Sequence, residues 1–344
     1  MNNTSLNNNH KSFDALLLKI KQARQKAFTQ VNTVLIELYW EIGKVISQKV
    51  DTETWGRGIV KELAIYLKQN EPEIKGFSDK NLWRMKKFYE TYKNDTKLSA
   101  LLRELPWTHN TIIFSRCKTT DERHFYITKC IKEKYTSREL DRQINAALFE
   151  RDYTQKPILS AVLRELHPTA NKIFKDNYTL EFLGLPESHN ENQLQKAILK
   201  NMKKFILEIG KDFIFIDEEY KLQVGNQDFY IDLLFFHRGL SALIAFELKI
   251  AKFSPKHLGQ LNFYLEALDR DVKKTHENPS IGILLCSDKD NEVVEYALSR
   301  NMSPALVAQY QLQLPDKKVI QNKLHNLLEQ LPNTKLENSE KENE

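Results

Sequence analysis

The chain has 344 residues, of which 41% are hydrophobic and 28% are charged, and its formal net charge is +5. This length favours two domains, and the composition is that of a protein with an apolar core, which excludes a wholly disordered chain. The polar start, the lack of any run near the roughly 20 apolar residues of a membrane span, and three widely spaced cysteines predict a cytoplasmic protein that does not enter a membrane.

The first half of the sequence has a helical pattern almost throughout. Residues 1–12 are polar and predicted to be disordered, whereas apolar residues recur at spacings of three and four from residue 13 onward. Ser78 is placed to cap one of these helices, and Thr136 and Glu139 have the spacing of a capping box. The predicted helices are FTQVNTVLIELYWEIGKVISQKV, WGRGIVKELAIYLKQN, GFSDKNLWRMKKFYETY and TSRELDRQINAALFERD. We therefore predict an all-helical N-terminal domain over residues 13–150.

This helical half is also locally basic. Residues 75–151 contain 17 lysines and arginines against 10 aspartates and glutamates. Lys80, Arg84 and Lys87 share one face of a predicted helix and are candidates for contacting DNA, while the aromatic residues on the other face are expected to form core. The alternative is that these basic residues only keep the helix in contact with water. The domain is thus a candidate for recognition of DNA or of a partner protein.

The second half changes period. Residues 151–187 contain three prolines and are predicted to be a connector, and the acidic tail 331–344 is predicted to be disordered. Between them, over residues 188–330, the order is a long helix ending at Gly210, three strands, a helix starting at Ser254-Pro255, an apolar strand, and further helix and strand. The predicted fold class is α + α/β, in which the helical domain precedes an α-β-β-β-α-β core with a mixed central sheet.

Three charged residues interrupt the apolar strands of this core. Asp232 lies in YIDLLFF, and Glu247 and Lys249 lie in ALIAFELKI. Residues two apart on a strand point to the same face, so Glu247 and Lys249 are expected to lie together. A buried ion pair is the structural alternative. If the two strands pair, Asp232 meets Glu247 near one end of the sheet. Two adjacent carboxylates are better explained by a hard cation between them, namely Mg²⁺ with Mn²⁺ as an alternative, which would activate water at a phosphate.

These residues resemble a known nuclease signature. Ile231-Asp232 followed by Glu247-Leu-Lys249 is similar to the PD-(D/E)xK motif, with isoleucine in place of proline, and Gln260 and Tyr264 resemble the Q-x3-Y motif of the RecB-like branch. The resemblance extends to the YhcG-type nuclease family, through VGNQDFYIDLLFFHRGLSALIAFELKIAKFSPKHLGQLNFYLEALD and through LYWEIGKVI and LPWTHNTIIF in the helical half. It implies a bacterial, metal-dependent nuclease with a PD-(D/E)xK core, and it implies that Gln260 lies beside the active site and that Tyr264 helps to bind substrate.

One position departs from the pattern that this resemblance implies. Related sequences carry a glutamate on the first core helix where this chain has Gln195, a poorer metal ligand. Glu191, one turn earlier, is either a substitute or ordinary helix surface, and we expect it to be surface. Arg238, Lys252 and Lys256 flank the predicted site and are candidates for holding phosphates, with a solvated loop as the alternative. These three are predicted as substrate-binding residues together with Tyr264.

We therefore predict a phosphodiesterase of the Mg²⁺-dependent deoxyribonuclease type. In this hypothesis Asp232 and Glu247 bind the metal, Lys249 orients water, and Gln260 completes the catalytic group. The rival hypothesis is a catalytically weak DNA-binding or scaffold subunit. DNA is the predicted partner, and RNA stays open because metal–phosphate chemistry does not read the sugar. The resemblance also implies restriction-system or mobile-element proteins as partners, and a homodimer is left open.

Overall fold

The computed structural model describes residues 3–52 and 55–330 and divides the chain into two compact units, residues 1–142 and 143–344. The first unit is helical. Its helices are α1 (Asn3–Asp51), α2 (Arg57–Asn70), α3 (Asp79–Tyr92), α4 (Thr96–Leu102), α5 (Trp107–Arg116), α6 (Thr120–Glu133) and α7 (Ser137–Asn145), the last of which runs past the division.

The helix α1 is longer than the sequence pattern predicts. It begins at Asn3, so residues 3–12 are helical where we predicted disorder; residues 1–2 lie outside the described part of the chain. Extending an existing helix adds one hydrogen bond for each residue that is fixed, which allows a polar segment to continue an amphipathic one. Ser78 caps α3 as predicted, since its side chain accepts a hydrogen bond from the Asn81 amide. The buried residues of α3 pack on α1 around Tyr39 and Ile46.

The predicted helix over residues 136–152 is interrupted. The Thr136 hydroxyl accepts a hydrogen bond from the Glu139 amide, as a cap requires, but α7 ends at Asn145. Ala147 then has a φ of 50°, in the left-handed region, and α8 (Leu148–Thr154) starts a new direction. A left-handed residue cannot continue a right-handed helix, so the chain turns here, next to the division between the units.

Residues 151–187, which we predicted to be a connector, belong to the second unit and are structured. They contain α9 (Ala161–Leu166), α10 (Ala170–Ile173), a 3₁₀ turn (Glu181–Leu183) and the short strand β1 (Asn177–Thr179). Strand β1 pairs in parallel with a later strand, and its central residue, Tyr178, is fully buried. Three residues are too few to show a period in sequence, which is why the pattern gave no sign of this strand.

A six-stranded mixed sheet forms the centre of the second unit. Its remaining strands are β2 (Phe213–Val224), β3 (Gln227–His237), β4 (Ala242–Lys252), β5 (Asn278–Asp288) and β6 (Ala305–Gln311), in the order β1-β6-β5-β4-β3-β2. Strands β2, β3 and β4 form the predicted antiparallel meander, and β4, β5, β6 and β1 run parallel. Besides α8, α9 and α10, the helices of this unit are α11 (Glu191–Lys200), α12 (Met202–Ile209), α13 (His257–Ala267), α14 (Asn291–Ser299) and α15 (Lys317–Gln330).

The helices cover both faces of the sheet. On one face α11 and α12 pack Leu194 and Phe205 against alternate residues of β3 and β4. On the other face α13 packs closely, because a Cβ at Gly282 of β5 would lie 2.7 Å from Leu261 Cγ. The predicted long helix over residues 191–210 is divided at Asn201 into α11 and α12, and it ends before Gly210 as expected. The predicted fold class, a helical domain followed by an α-β-β-β-α-β core, is confirmed.

Two further expectations concern the ends of the chain and membranes. The predicted disordered tail, residues 331–344, lies outside the described residues. Among the helices that the structure describes, none is long and apolar enough to cross a membrane.

Candidate active site

The pairing of β3 with β4 brings Asp232 and Glu247 together. Leu233 lies opposite Phe246 in this antiparallel pair, which places Asp232 and Glu247 one step beyond, where the two strands separate. The Leu248 amide donates a hydrogen bond to Asp232 Oδ2 at 2.7 Å. The Asp232 side chain of β3 thus serves as the acceptor for a backbone amide of β4, and this contact fixes its position beside Glu247.

Glu247 and Lys249 lie on the same face of β4, as the strand period predicts. Lys249 Nζ lies 2.9 Å from Glu247 Oε1. Only 2% of Glu247 is exposed, and its second oxygen, Oε2, is buried without a hydrogen-bond partner among the described residues. A buried polar atom without a partner is costly, so this oxygen is either a source of instability or a ligand position.

The electrostatics of the three groups are linked. The pKa of Glu247 is raised to about 7, first by burial and then by the nearby charge of Asp232, against the opposing effect of Lys249. The pKa of Asp232 is also raised, first by burial, although the Leu248 hydrogen bond and Lys249 act to lower it. Burial, the largest single influence, tends to lower the pKa of Lys249, but the acids around it, Glu247 first, together outweigh burial and the pKa is raised. Lys249 therefore stays a cation beside two acids that repel each other.

This arrangement fits a divalent cation. Within residues 3–52 and 55–330 no three His, Cys, Asp or Glu side chains are grouped as a cation site, so this pair of carboxylates is what the chain offers at this point. Mg²⁺ is commonly held by one or two carboxylates, with water and phosphate oxygens completing its coordination. A cation between Asp232 and Glu247 would relieve their repulsion and would give the buried Glu247 Oε2 a partner.

The first helix of the core contributes more to the site than we expected. Glu191 is exposed on the helix surface, as we expected, but its Oε2 also lies 3.5 Å from Lys249 Nζ. Gln195 is buried, and its amide donates a hydrogen bond to the backbone carbonyl of Asp232 at 3.0 Å. Gln195 therefore supports the strand that carries Asp232. The acidic residue of α11 that approaches Lys249 is Glu191, the first residue of the helix.

Helix α13 brings the Q-x3-Y pair to the same region. Gln260 Nε2 donates a hydrogen bond to the Tyr264 hydroxyl at 2.6 Å. Tyr264 is buried, and burial raises the pKa of its hydroxyl, as do the charges of Glu247 and Asp232. The helix begins at His257, later than the predicted cap at Ser254. The imidazole of His257 accepts from the Ser254 amide instead.

The three basic residues predicted to hold phosphates lie in different places. Lys256 directly precedes His257 at the start of α13, and the pKa of His257 is lowered first by burial and then by the charges of Lys249 and Lys256. Lys252 is exposed near Asp288, with 3.6 Å between the charged atoms. Arg238 is six residues beyond Asp232 along the chain, roughly 20 Å at the rise of a strand. The structure thus corrects the prediction for Arg238, which lies at the turn between β3 and β4, the opposite end of this strand pair.

One acid near the site escaped the sequence analysis. Glu219 of β2 has a φ of 45°, and its charge contributes to raising the pKa of Asp232. It lies within the charged run DEE of an exposed edge strand, where nothing in the sequence separates it from its neighbours. Glu218 and Tyr220 pair with Leu233 and Ile231 of β3, so the register places Glu219 across from Asp232.

Comparison with known proteins gives matches over both halves of the chain. Residues 16–151 match the DUF1016 N-terminal domain, and residues 171–325 match the YhcG PDDEXK nuclease domain. The Escherichia coli (strain K12) protein named "Putative nuclease YhcG" is 29% identical over 349 aligned positions, which cover 90% of this chain and 92% of that protein.

Two solved structures give weaker likenesses. They are a repair endonuclease from Pyrococcus abyssi (16% identity, TM-score 0.24) and an EndoMS–dsDNA2 complex (18% identity, TM-score 0.25). Each likeness covers 38% of this chain, and it covers 50% and 47% of those chains respectively. These scores are too low to bear on this protein. The two domain matches, in this order along the chain, and the relative that matches it over nine-tenths of its length support one conclusion. The chain belongs to the YhcG-type family, which joins a DUF1016 N-terminal domain to a PDDEXK nuclease domain.

Proposed function

We propose that this protein is a metal-dependent DNA endonuclease that hydrolyses phosphodiester bonds at Asp232, Glu247 and Lys249. The observation that carries the proposal is the Glu247–Lys249 ion pair beside a second acid, Asp232, in which Glu247 Oε2 is buried and has no protein partner among the described residues. A pair of acids that served only stability would not leave a ligand position open. The membership of the family supports a nuclease as the class of enzyme.

The roles of the residues follow from their environments. Asp232 and Glu247 would hold Mg²⁺ or Mn²⁺, which supplies charge neutralisation at phosphate and activation of water. Lys249 keeps its proton because its pKa is raised. Its ammonium group would orient the attacking water and stabilise negative charge on the phosphate oxygens as the P–O bond to water forms and the P–O bond to the leaving group breaks.

The surrounding residues would position the site and the substrate. Gln195 holds the backbone of Asp232, and Gln260 with Tyr264 supports the face of α13 toward the site. Lys256, beside the site, is the better candidate for a phosphate contact, and Lys252 is a second. In the first unit the exposed face of α3 carries Lys80, Arg84 and Lys87, which supports the proposal that this domain contacts the nucleic-acid backbone.

The experiment that tests this proposal is cleavage of supercoiled plasmid and of a branched DNA. Wild type is compared with Lys249→Ala in Mg²⁺, in Mn²⁺ and in EDTA. We expect cutting that requires the metal and is lost in the variant. Lys221→Ala is the matched control, because Lys221 is an exposed lysine of the same sheet that pairs with Asp228.

Two outcomes would contradict the proposal. Cleavage by Lys249→Ala at the wild-type rate would place the chemistry elsewhere. If wild type binds DNA in gel-shift assays but never cuts it with either metal, the protein is the DNA-binding or scaffold subunit of the rival hypothesis. Gln195→Glu, which introduces the carboxylate that related sequences carry at this position, would then be the first variant to test for cleavage.

A further inference from the structure

The first half of α1 exposes a large apolar surface. Between residues 16 and 31 every side chain that the structure describes is exposed. The large apolar side chains exposed in this part of the helix and in the turns that follow are Leu16, Leu17, Leu18, Ile20, Phe28, Val31, Val34 and Leu38. An isolated helix without tertiary packing is marginal in water, and a contiguous apolar patch of this kind marks an interaction surface.

Many of the exposed residues, though not Leu16, Leu18 and Phe28, follow a heptad. Starting at Leu17, one line of positions advances alternately by three and four residues to Val45, and we call it the α1 seam. Its members are Leu17, Ile20, Arg24, Ala27, Val31, Val34, Leu38, Glu41 and Val45, all of them exposed. The other side of α1 is already occupied, since Ile36, Tyr39 and Ile46 are buried in the first unit. Sustained spacing of three and four is the signature of a helix that packs along another helix.

The two charged members of the seam indicate what that other helix is. We propose that α1 pairs with α1 of a second copy of this chain in antiparallel orientation, with Arg24 of each copy opposite Glu41 of the other. This register places Ala27 opposite Leu38 and Val31 opposite Val34. The layers then combine opposite charges, a small with a large side chain, two valines, or Ile20 with Val45. The same patch serves both copies, as a two-fold axis requires.

The charges beside the seam favour the same orientation. Residues 16–30 contain three lysines and one arginine and no acid, whereas residues 31–43 contain Glu37 and Glu41 and no basic residue. Antiparallel pairing sets the basic half of each helix beside the acidic half of the other. Parallel pairing in register would set Arg24 against Arg24 and the basic halves against each other, which disfavours it. Glu37 also binds Arg103 of its own chain at 3.3 Å, so Glu41 is the acid that the seam itself presents.

The end of the seam has room for the partner. Val45 lines an apolar groove of about 440 Å³, together with Leu63, Leu67 and Ile74. The proposed register places Ile20 of the second copy opposite Val45. The apolar start of one α1 would therefore cover the groove of the other copy, and the paired surface would extend beyond the two helices.

Sedimentation velocity of the full chain over a range of concentrations tests this proposal. We expect wild type to be a dimer at micromolar concentration and Val34→Lys to be a monomer, because each copy carries the lysine into an apolar layer. Val34 is exposed in the single chain, so folding is retained, which circular dichroism verifies. The control is Val293→Lys, an exposed valine outside the seam, which leaves the dimer intact.

Charge reversal tests the orientation. Arg24→Glu alone and Glu41→Arg alone each create two repulsive layers, and we expect each to raise the dissociation constant of the dimer at least about tenfold. The double variant Arg24→Glu/Glu41→Arg restores wild-type affinity. Mixing the two single variants forms a heterodimer in which both layers are again complementary.

Three outcomes would overturn the proposal. Wild type that stays monomeric shows that α1 does not pair with a second copy. A dimer that Val34→Lys does not weaken is formed by another surface. Single variants that weaken the dimer without rescue, in the double variant or in the mixture, contradict the antiparallel register.

Discussion

Two buried glutamates of the second unit show how the same side chain can serve stability or a candidate function. Glu208 is 1% exposed, and both of its oxygens are satisfied: Lys175 and the Thr179 amide approach Oε1, and Gln143 approaches Oε2. Glu247 is 2% exposed, and Lys249 approaches only Oε1. The first carboxylate is enclosed by donors from several elements, and the second has donors on one side only.

The difference is in the neighbours as well as in the hydrogen bonds. An unpartnered oxygen is not sufficient by itself, since Glu150 Oε2 is also buried without a partner among the described residues, while Lys317 and Gln321 approach Oε1. Glu247 has in addition a second acid, Asp232, whose charge helps to raise its pKa. A buried acid kept next to another acid costs stability, and this cost is the sign that a cation or a substrate completes the site.

The largest expected effect is on activity at Asp232. Asp232→Asn keeps an acceptor for the Leu248 amide but removes a charge, so we expect cleavage of plasmid to fall by at least about 10³-fold. The free energy of unfolding in EDTA stays the same or rises, because the repulsion with Glu247 is gone. Single-turnover cleavage and chemical denaturation measure the two quantities on the same sample.

The control for this variant lies on the same strand. Asp228 of β3 is exposed and pairs with Lys221 at 2.8 Å, and Asp228→Asn removes the same charge away from the site. It is expected to leave both activity and stability near wild type. If Asp232→Asn lowered stability and left cleavage unchanged, Asp232 would be a structural acid like Glu208.

The next effect is on stability at Glu208. Glu208→Ala leaves Arg151 and Lys175 as buried charges without their acid, and removing one member of a buried ionic network costs about 3–5 kcal/mol. Urea denaturation of wild type and variant measures this loss. Cleavage per folded molecule is expected to be retained at a temperature where the variant is still folded. An equal loss of activity and stability in Glu247→Ala and Glu208→Ala would remove the distinction between the two glutamates.

A third prediction uses pH in the absence of metal. The pKa of Glu247 is about 7 in the folded protein and 4.5 as a reference, so the folded state binds more protons between these values. The contribution of Glu247 to the free energy of unfolding is therefore fully present below pH 4.5 and is lost as the pH rises toward 7. At 1.36 kcal/mol per pKa unit the loss is about 3 kcal/mol.

The neutral variant Glu247→Gln isolates this contribution. The stability of the variant minus that of wild type, measured in EDTA, is expected to be near zero at pH 4.5 and to grow up to pH 7. Parallel stability curves for the two proteins over this range would show that Glu247 ionises normally.

Much of the second unit could be predicted from sequence, because short apolar runs and the two-residue alternation of side chains identify strands directly. In β3 and β4 each charged residue stands out against an apolar run, so Asp232, Glu247 and Lys249 were visible as exceptions, and the strand period placed two of them on one face. Lys249 lies where that reasoning expects it, 2.9 Å from Glu247. The meander follows from the short connections between its strands, and α13 from the start signal Ser254-Pro255, although the helix begins at His257.

The errors and omissions occur where a side chain's position depends on how one element meets another. Arg238 is close to Asp232 in sequence, but a strand carries it far away. Glu191 has the composition of helix surface, and only the docking of α11 on the sheet turns it toward Lys249. The breaks at Ala147 and Asn201 interrupt continuous helical patterns, so tertiary packing overrides a favourable local sequence at both positions.

The smallest expected effect concerns Glu191, the acid that the sequence pattern did not single out. Its side chain is 48% exposed and lies 3.5 Å from Lys249 Nζ, a geometry in which an ion pair contributes little to stability. Glu191→Gln is therefore expected to leave the free energy of unfolding within about 0.5 kcal/mol of wild type and to reduce cleavage by only about three- to tenfold, through the position of Lys249. The measurement is single-turnover cleavage as a function of Mg²⁺ concentration. A higher Mg²⁺ requirement with an unchanged maximal rate would show that Glu191 acts on the metal instead, which would make it the substitute for the acid missing at Gln195.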